Sequence, residues 1–161
     1  MTRPDDITAP KDAEPATRAA NAAVARLLPF HDRQDYEDAQ RGLIAPLPDG
    51  MVTTERGTPV WNLTAYSFLD LPEAPATVNP SLWRMAQLNL NNGLFQVTDR
   101  VYQVRGVDLA NMTIIEGDGG VILIDPLTTA EVARAALELY YDHRPRVPVV
   151  AVLYSHSHVD H

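Results

Sequence analysis

Val147-Pro148-Val149-Val150-Ala151-Val152-Leu153, followed at once by Tyr154-Ser155-His156-Ser157-His158-Val159-Asp160-His161, is the stretch on which the reading of this chain turns. The first half is short, uncharged and rich in β-branched side chains, which predicts a buried strand over residues 147–154. The second half packs three histidines and an aspartate into six residues. It forms the loop at that strand's C-terminal edge, where open α/β sheets place their ligands.

Imidazole nitrogen and carboxylate oxygen are the donors zinc and its neighbours take when no thiolate is offered. In an extended segment His156 and His158 project to one side and share an ion. A turn through Val159 then sends Asp160 and His161 towards a second ion. Two metals a few ångström apart polarise an anionic ester and hold a hydroxide nucleophile. A purification tag would be a uniform histidine run, and a solvated loop with chance histidines would not follow a core strand with an interleaved acid.

Working back from the loop, Thr128-Thr129-Ala130-Glu131 fits a capping box with Thr128 as N-cap. Val132, Ala135, Ala136, Leu139, Tyr140 and His143 then line one helical face, and Pro145 closes the helix. Val121-Ile122-Leu123-Ile124 reads as a strand, joined through Gly117-Asp118-Gly119-Gly120 to a strand over residues 112–116. Val101-Tyr102-Gln103-Val104 is a strand before these. The glycine-rich turn joins two strands and does not open a helix with a lysine, so it is not a phosphate loop.

The N-terminal half has a different texture. Residues 1–15, rich in Pro, Asp and Thr, read as disordered. An Ala-rich helix over residues 15–28 is ended by Pro29. A second short helix runs from Gln34, with Gly42 as its cap. Residues 43–50 read as loop with a Pro48-Asp49-Gly50 turn. Val52, Val60-Trp61 and residues 66–68 read as short irregular strands. Ser81 is the expected N-cap of a helix over residues 82–90, with Leu82, Met85, Ala86 and Leu90 on its packed face. The texture changes at Asn91-Asn92-Gly93. The expected divisions are therefore a disordered 1–15, an extension over 16–93, and a strand-rich part over 94–161.

Asp125, between the Ile122-Leu123-Ile124 strand and Pro126, is read as a turn residue or as a cap on the approach to the helix. His143, at a helix C-terminus, and His31 are read as structural or surface residues. Trp61, Trp83, Phe95 and Tyr102 are read as core, and Asn111 as a turn residue.

With 161 residues, 45% of them hydrophobic, the chain has apolar content for a core. Thirteen Lys+Arg against twenty-one Asp+Glu give a formal charge of -8, which is no footprint for nucleic acid. With no cysteine there is no disulfide and no thiolate-bound metal. Met1-Thr2-Arg3-Pro4-Asp5-Asp6 has no apolar h-region, so neither a signal peptide nor a membrane span is expected; the expected location is the cytoplasm, ahead of periplasm or secretion.

His156-x-His158-x-Asp160-His161 resembles the signature of the metallo-β-lactamase superfamily, with Ser155 standing where many members have Thr. The lead-in resembles one branch of it, the alkyl sulfatases. The residues carrying that likeness are Leu28-Pro29-Phe30, the run from Asp38 through Gly50, Asn79-Pro80-Ser81-Leu82-Trp83-Arg84, Gln87-Leu88-Asn89, Val101-Tyr102-Gln103-Val104-Arg105-Gly106 and Asp108-Leu109-Ala110-Asn111-Met112-Thr113.

The resemblance implies the N-terminal part of an αββα sandwich, an α/β (α+β) fold, behind a helical and irregular N-terminal extension. It implies a parent enzyme that hydrolyses alkyl sulfate esters such as dodecyl sulfate with two zinc ions. His156 and His158 are then first-site ligands, and Asp160 and His161 second-site ligands. Asp160 also orients the attacking water, and Asp125 supports the loop from behind. The remaining ligands, the other half of the sandwich and a dimerisation domain lie downstream of the motif in that family. The implied partners are the alkyl sulfate and, in a homodimer, a second subunit. Two other readings stay open: a hydrolase of the same fold acting on thioesters, lactones or phosphodiesters, and a non-catalytic fragment. Alone, residues 1–161 are expected to bind metal weakly, turn nothing over and tend to aggregate.

Overall fold

The computed structural model describes residues 11–161. The decapeptide before them, which holds most of the segment expected to be disordered, lies outside the described residues.

The C-terminal half is built around a six-stranded mixed sheet. Strands β4 (Gly93–Thr98), β5 (Val101–Arg105), β6 (Met112–Glu116) and β7 (Val121–Ile124) form an antiparallel meander. After β7 the chain crosses over through helix α4 (Ala130–Tyr141) and returns as β8 (Val149–Leu153), parallel to β7. Parallel neighbours require such a crossover, and the helix supplies it. On the far edge β1 (Leu43–Ala45) pairs antiparallel with β4.

The period-2 pattern of the strands decides which face α4 covers. Tyr102 and Val104, Met112 and Ile114, Val121 and Leu123 alternate with half-buried neighbours, and all six are at most 5% exposed. They meet Val132, Ala136, Leu139 and Tyr140, the buried stripe of α4. A small hairpin, β2 (Met51–Thr53) with β3 (Pro59–Asn62), adds Val52 to the same core. At the far end Glu116 binds Arg144 bidentately (2.8 and 3.0 Å) and accepts from the Tyr140 hydroxyl at 2.8 Å, which ties the β6–β7 turn to the end of α4.

The N-terminal half packs three helices by polar clamps. In α1 (Pro15–Leu27) Pro15 sits at the start, and no residue is buried. Before α2 (Gln34–Gln40), whose N-cap is Arg33, the Asp32 carboxylate accepts from the Gln34 amide at 2.9 Å. From α3 (Pro80–Asn89), Arg84 reaches the Asp35 carboxylate at 2.8 Å and the Phe30 carbonyl at 3.1 Å, while Gln87 accepts from Tyr36 at 2.8 Å.

Several expectations are corrected. Residues 43–45 are strand, not loop, because β4 offers them a free edge. Residues 66–68 lie in a 3-10 stretch, Leu63–Asp70, opened by the Asn62 side chain accepting from the Thr64 amide. Asn79, not Ser81, caps α3: its carboxamide oxygen accepts from the Ser81 amide at 2.9 Å, and Pro80 takes the first helical position. The packed face of α3 carries Trp83, whereas Leu82 and Met85 are 62% and 60% exposed. Gly42 is left-handed (φ 78), as a cap would be, but strand contact is what demands glycine: a Cβ there would lie 2.2 Å from the Gln96 carbonyl oxygen. In α4 the N-cap is Thr129, whose hydroxyl accepts from Val132. The strand expected to be buried is an edge: Val150, Val152 and Leu153 are 59%, 43% and 50% exposed, since β8 has a neighbour on one side alone.

Candidate metal centre

Where β7 and β8 end side by side, Ile124 pairs with Leu153, and the Asp125 amide donates to the Leu153 carbonyl at 2.9 Å. That register sets Asp125 beside the first residue of the histidine loop. Its Oδ1 accepts from the Ser155 amide at 2.7 Å, a short charge-assisted bond. Its Oδ2 lies 3.2 Å from His161 Nδ1. The Ser155 amide, together with its neighbours, holds the Asp125 carboxyl below the usual carboxylate range.

All four residues read from the sequence as ligands come together. A ring nitrogen of His156 hydrogen-bonds one of His158 at 3.0 Å, and their rings lie 4.6 Å apart. The His161 ring is 4.0 Å from that of His156. His161 turns back because its amide donates to the His158 carbonyl (3.3 Å), which leaves Val159 at the tip, 87% exposed. Asp160 Oδ2 stands 3.6 Å from His161 Nε2. His156 and His158 are exposed, Asp160 and His161 half-buried.

The donor chemistry suits zinc, being imidazole and carboxylate without thiolate. His161 Nδ1 is buried and, despite its nearness to Asp125, has no partner in hydrogen-bonding direction. Nδ1 faces Asp125, the side from which a carboxylate orients an imidazole, and this leaves Nε2 as the ring's metal-donor nitrogen. Yet among the described residues no three such side chains converge on one point as a finished polyhedron would. The cause is local: His156 and His158 direct nitrogens at each other instead of at a common centre.

The loop that carries Asp125 is strained. Asp125 and Leu127, on either side of Pro126, both have positive φ (55 and 78). Such conformations persist only where surrounding contacts enforce them. Directly after this loop Thr128 is held by Asp108, which the sequence reading named within the run carrying the family resemblance and not as a site residue. It is the one buried charged residue among those described. Asp108 Oδ2 accepts from the Thr128 amide at 2.8 Å and Oδ1 from the Thr128 hydroxyl at 2.7 Å, with the Leu109 amide at 2.6 Å. This is why Thr128 is not the cap of α4: its hydroxyl is already engaged. The sequence held no local signal for the pair, since the partners are twenty positions apart.

His143 is exposed past the end of α4, and Asn111 is exposed at the start of β6; neither reaches the loop. Trp83, Phe95 and Tyr102 are core residues, and Trp61 is half-buried.

The family described as the metallo-beta-lactamase superfamily matches residues 105–161. An (R)-specific secondary-alkylsulfatase of Pseudomonas sp. is 59% identical over 94% of this chain, and alkyl/aryl-sulfatase BDS1 of Saccharomyces cerevisiae 55% identical over 94%. The chain spans 23% of the length of each. The solved structure of the stereoselective inverting sec-alkylsulfatase Pisa1 from Pseudomonas sp. superposes with a TM-score of 0.88 at 60% identity, covering 94% of this chain and 24% of that one.

Proposed function

This chain belongs to the alkyl sulfatase family of the metallo-β-lactamase superfamily, and from that premise we propose that its protein hydrolyses alkyl sulfate esters to alcohol and sulfate at a dinuclear zinc centre. The observation that carries the reading is the histidine loop itself: at the C-terminal ends of two parallel strands His156 meets His158 and His161, Asp160 stands 3.6 Å from His161, and Asp125 tethers the loop.

In this reading His156 and His158 hold one ion, and Asp160 and His161 the other. A zinc pair so held supplies a water nucleophile active near neutral pH and positive charge for the sulfate oxygens. The chain's own residues prepare the place. Asp125 keeps His161 and the Ser155 backbone in register. The α4–sheet core fixes the strand ends, and Asp160 stands where it orients the water. Asp125 acts behind the ligands, fixing imidazole orientation as buried carboxylates do at zinc sites.

The reading includes a homodimer and further ligands supplied outside residues 1–161. It also holds that this segment by itself binds metal weakly and turns nothing over, with β8 as the edge that drives its aggregation. The extension over 16–93 and the catalytic opening over 94–161 are the divisions it uses.

The test is a graft. This chain replaces the matching segment of the Pseudomonas secondary-alkylsulfatase, and the chimera is offered dodecyl sulfate, a secondary alkyl sulfate, a thioester, a lactone and a phosphodiester. Release of sulfate, lost on chelation and restored by zinc, is expected. Turnover of another ester class with no sulfate released would move the protein to a different hydrolase of the same fold.

A further inference from the structure

We infer that Asp108 is a positioning residue for the metal loop, acting through Thr128 and Asp125; the inference rests on the metal reading above. A buried carboxylate with no cation within salt-bridge reach among the described residues is costly to keep unless hydrogen bonds satisfy it. Asp108 has three, and two of them go to one residue, Thr128, on the strand-to-helix loop.

The consequence lies upstream of Thr128. Between β7 and Thr128 the chain has three residues, Asp125, Pro126 and Leu127, and two of these are left-handed without being glycine. Neither asparagine-like permissiveness nor a hydrogen bond to a neighbour explains Leu127, whose side chain is buried. A loop held at one end by the β7 ladder and at the other by the Asp108 clamp has little freedom to relax. Its geometry aims the Asp125 carboxylate at Ser155 and His161. Asp108 touches no residue of the histidine loop, yet it fixes the residue that does. The β5–β6 loop, which carries Asp108, thus becomes part of the site's support.

The alternative is that Asp108 closes its own loop and nothing more. Hydrogen exchange on the metal-free chimera separates the two. Asp108→Asn places a donor where Thr128 already donates. Thr128→Val removes one bond and keeps the shape, so it carries the test if Asp108→Asn fails to fold. Ile114→Val, a core truncation of similar modest cost, is the control for stability alone. The inference expects the Ser155 amide to exchange at least about tenfold faster in Asp108→Asn, and less markedly so in Thr128→Val, while Ile114→Val leaves it unchanged relative to the core amides. Exchange altered at Leu109 and Thr128 with Ser155 untouched would overturn it. Cobalt uptake by the wild-type chimera reports on the metal reading separately. An empty chimera with an accelerated Ser155 amide defeats the metal assignment and leaves the Asp108–Asp125 linkage standing. A loaded chimera with an unmoved amide does the reverse.

Discussion

Replacing Asp125 in three ways separates its bonds from its backbone. Asp125→Asn keeps an acceptor for the Ser155 amide but gives up the negative charge and one oxygen. The bond it weakens is short, 2.7 Å, and the carboxylate is 14% exposed. A hydrogen bond to a charged group contributes about 1.5–3 kcal/mol, a neutral one about 1. The expected loss is therefore about 1 kcal/mol in unfolding free energy, since Asn tolerates the left-handed φ of 55 as well as Asp does. Asp125→Ala loses the whole bond and adds roughly 1–2 kcal/mol of left-handed strain, about 3 in all. Asp125→Gly loses the bond but relieves the strain and falls between them. Urea unfolding of the metal-free chimera gives the order, Asn mildest, then Gly, then Ala. In the chimera, zinc competition against a chelating dye gives the second readout, with affinity down roughly tenfold or more for all three. If Asp125→Asn unfolds with wild type and binds zinc equally, the carboxylate does not organise the loop, and the reasoning fails.

Gly120→Ala sets a Cβ 2.3 Å from the Pro148 carbonyl oxygen and 2.7 Å from Val150, at a φ of 151, so β8 must move away from β7. About 2–4 kcal/mol of destabilisation is expected, with slower zinc uptake in the chimera; an unchanged melting curve would contradict it. The Glu116 carboxyl is held below its ordinary range, first by Arg144 and against its own desolvation. Its contribution is therefore complete above the unfolded value of about 4.3 and is lost as pH falls through the folded one. Burial, with Glu116 as hydrogen-bond acceptor, raises the Tyr140 hydroxyl, so that contribution is complete below about 10 and fades as pH rises. Glu116→Gln should flatten the acid limb of a stability-against-pH curve, measured by urea midpoint between pH 3 and 7; an acid limb as steep as wild type would place the dependence elsewhere.

The strands of the meander were legible because their alternation survives into burial: Tyr102 and Val104, or Val121 and Leu123, are buried with half-buried residues between them. Pro15 and Pro29 marked α1 for the same kind of reason, a backbone constraint that needs no tertiary knowledge. The histidine loop was legible as donor chemistry and as spacing. What was not legible depended on distant partners. Residues 43–45 became strand because β4 lay open to them. The cap of α4 moved by one residue because Asp108 claimed Thr128. Leu82 and Met85 looked like a packed stripe, but α3 turns the Trp83–Gln87 side inward, where Trp83 donates to the Leu71 carbonyl and Gln87 to those of Leu69 and Leu71. Apolar content also misled at β8, since a β-branched run is as compatible with an edge as with a centre.

The most direct measurement is the metal content of the sulfate-releasing chimera, by elemental analysis after exhaustive dialysis, for the wild-type segment beside His156→Ala/His158→Ala and Asp160→Ala/His161→Ala. The account predicts two zinc ions per chain in the first and about one in each double variant, with sulfate release abolished in both. Two zinc ions retained by either variant, or release of sulfate at the full rate after chelation, would contradict it.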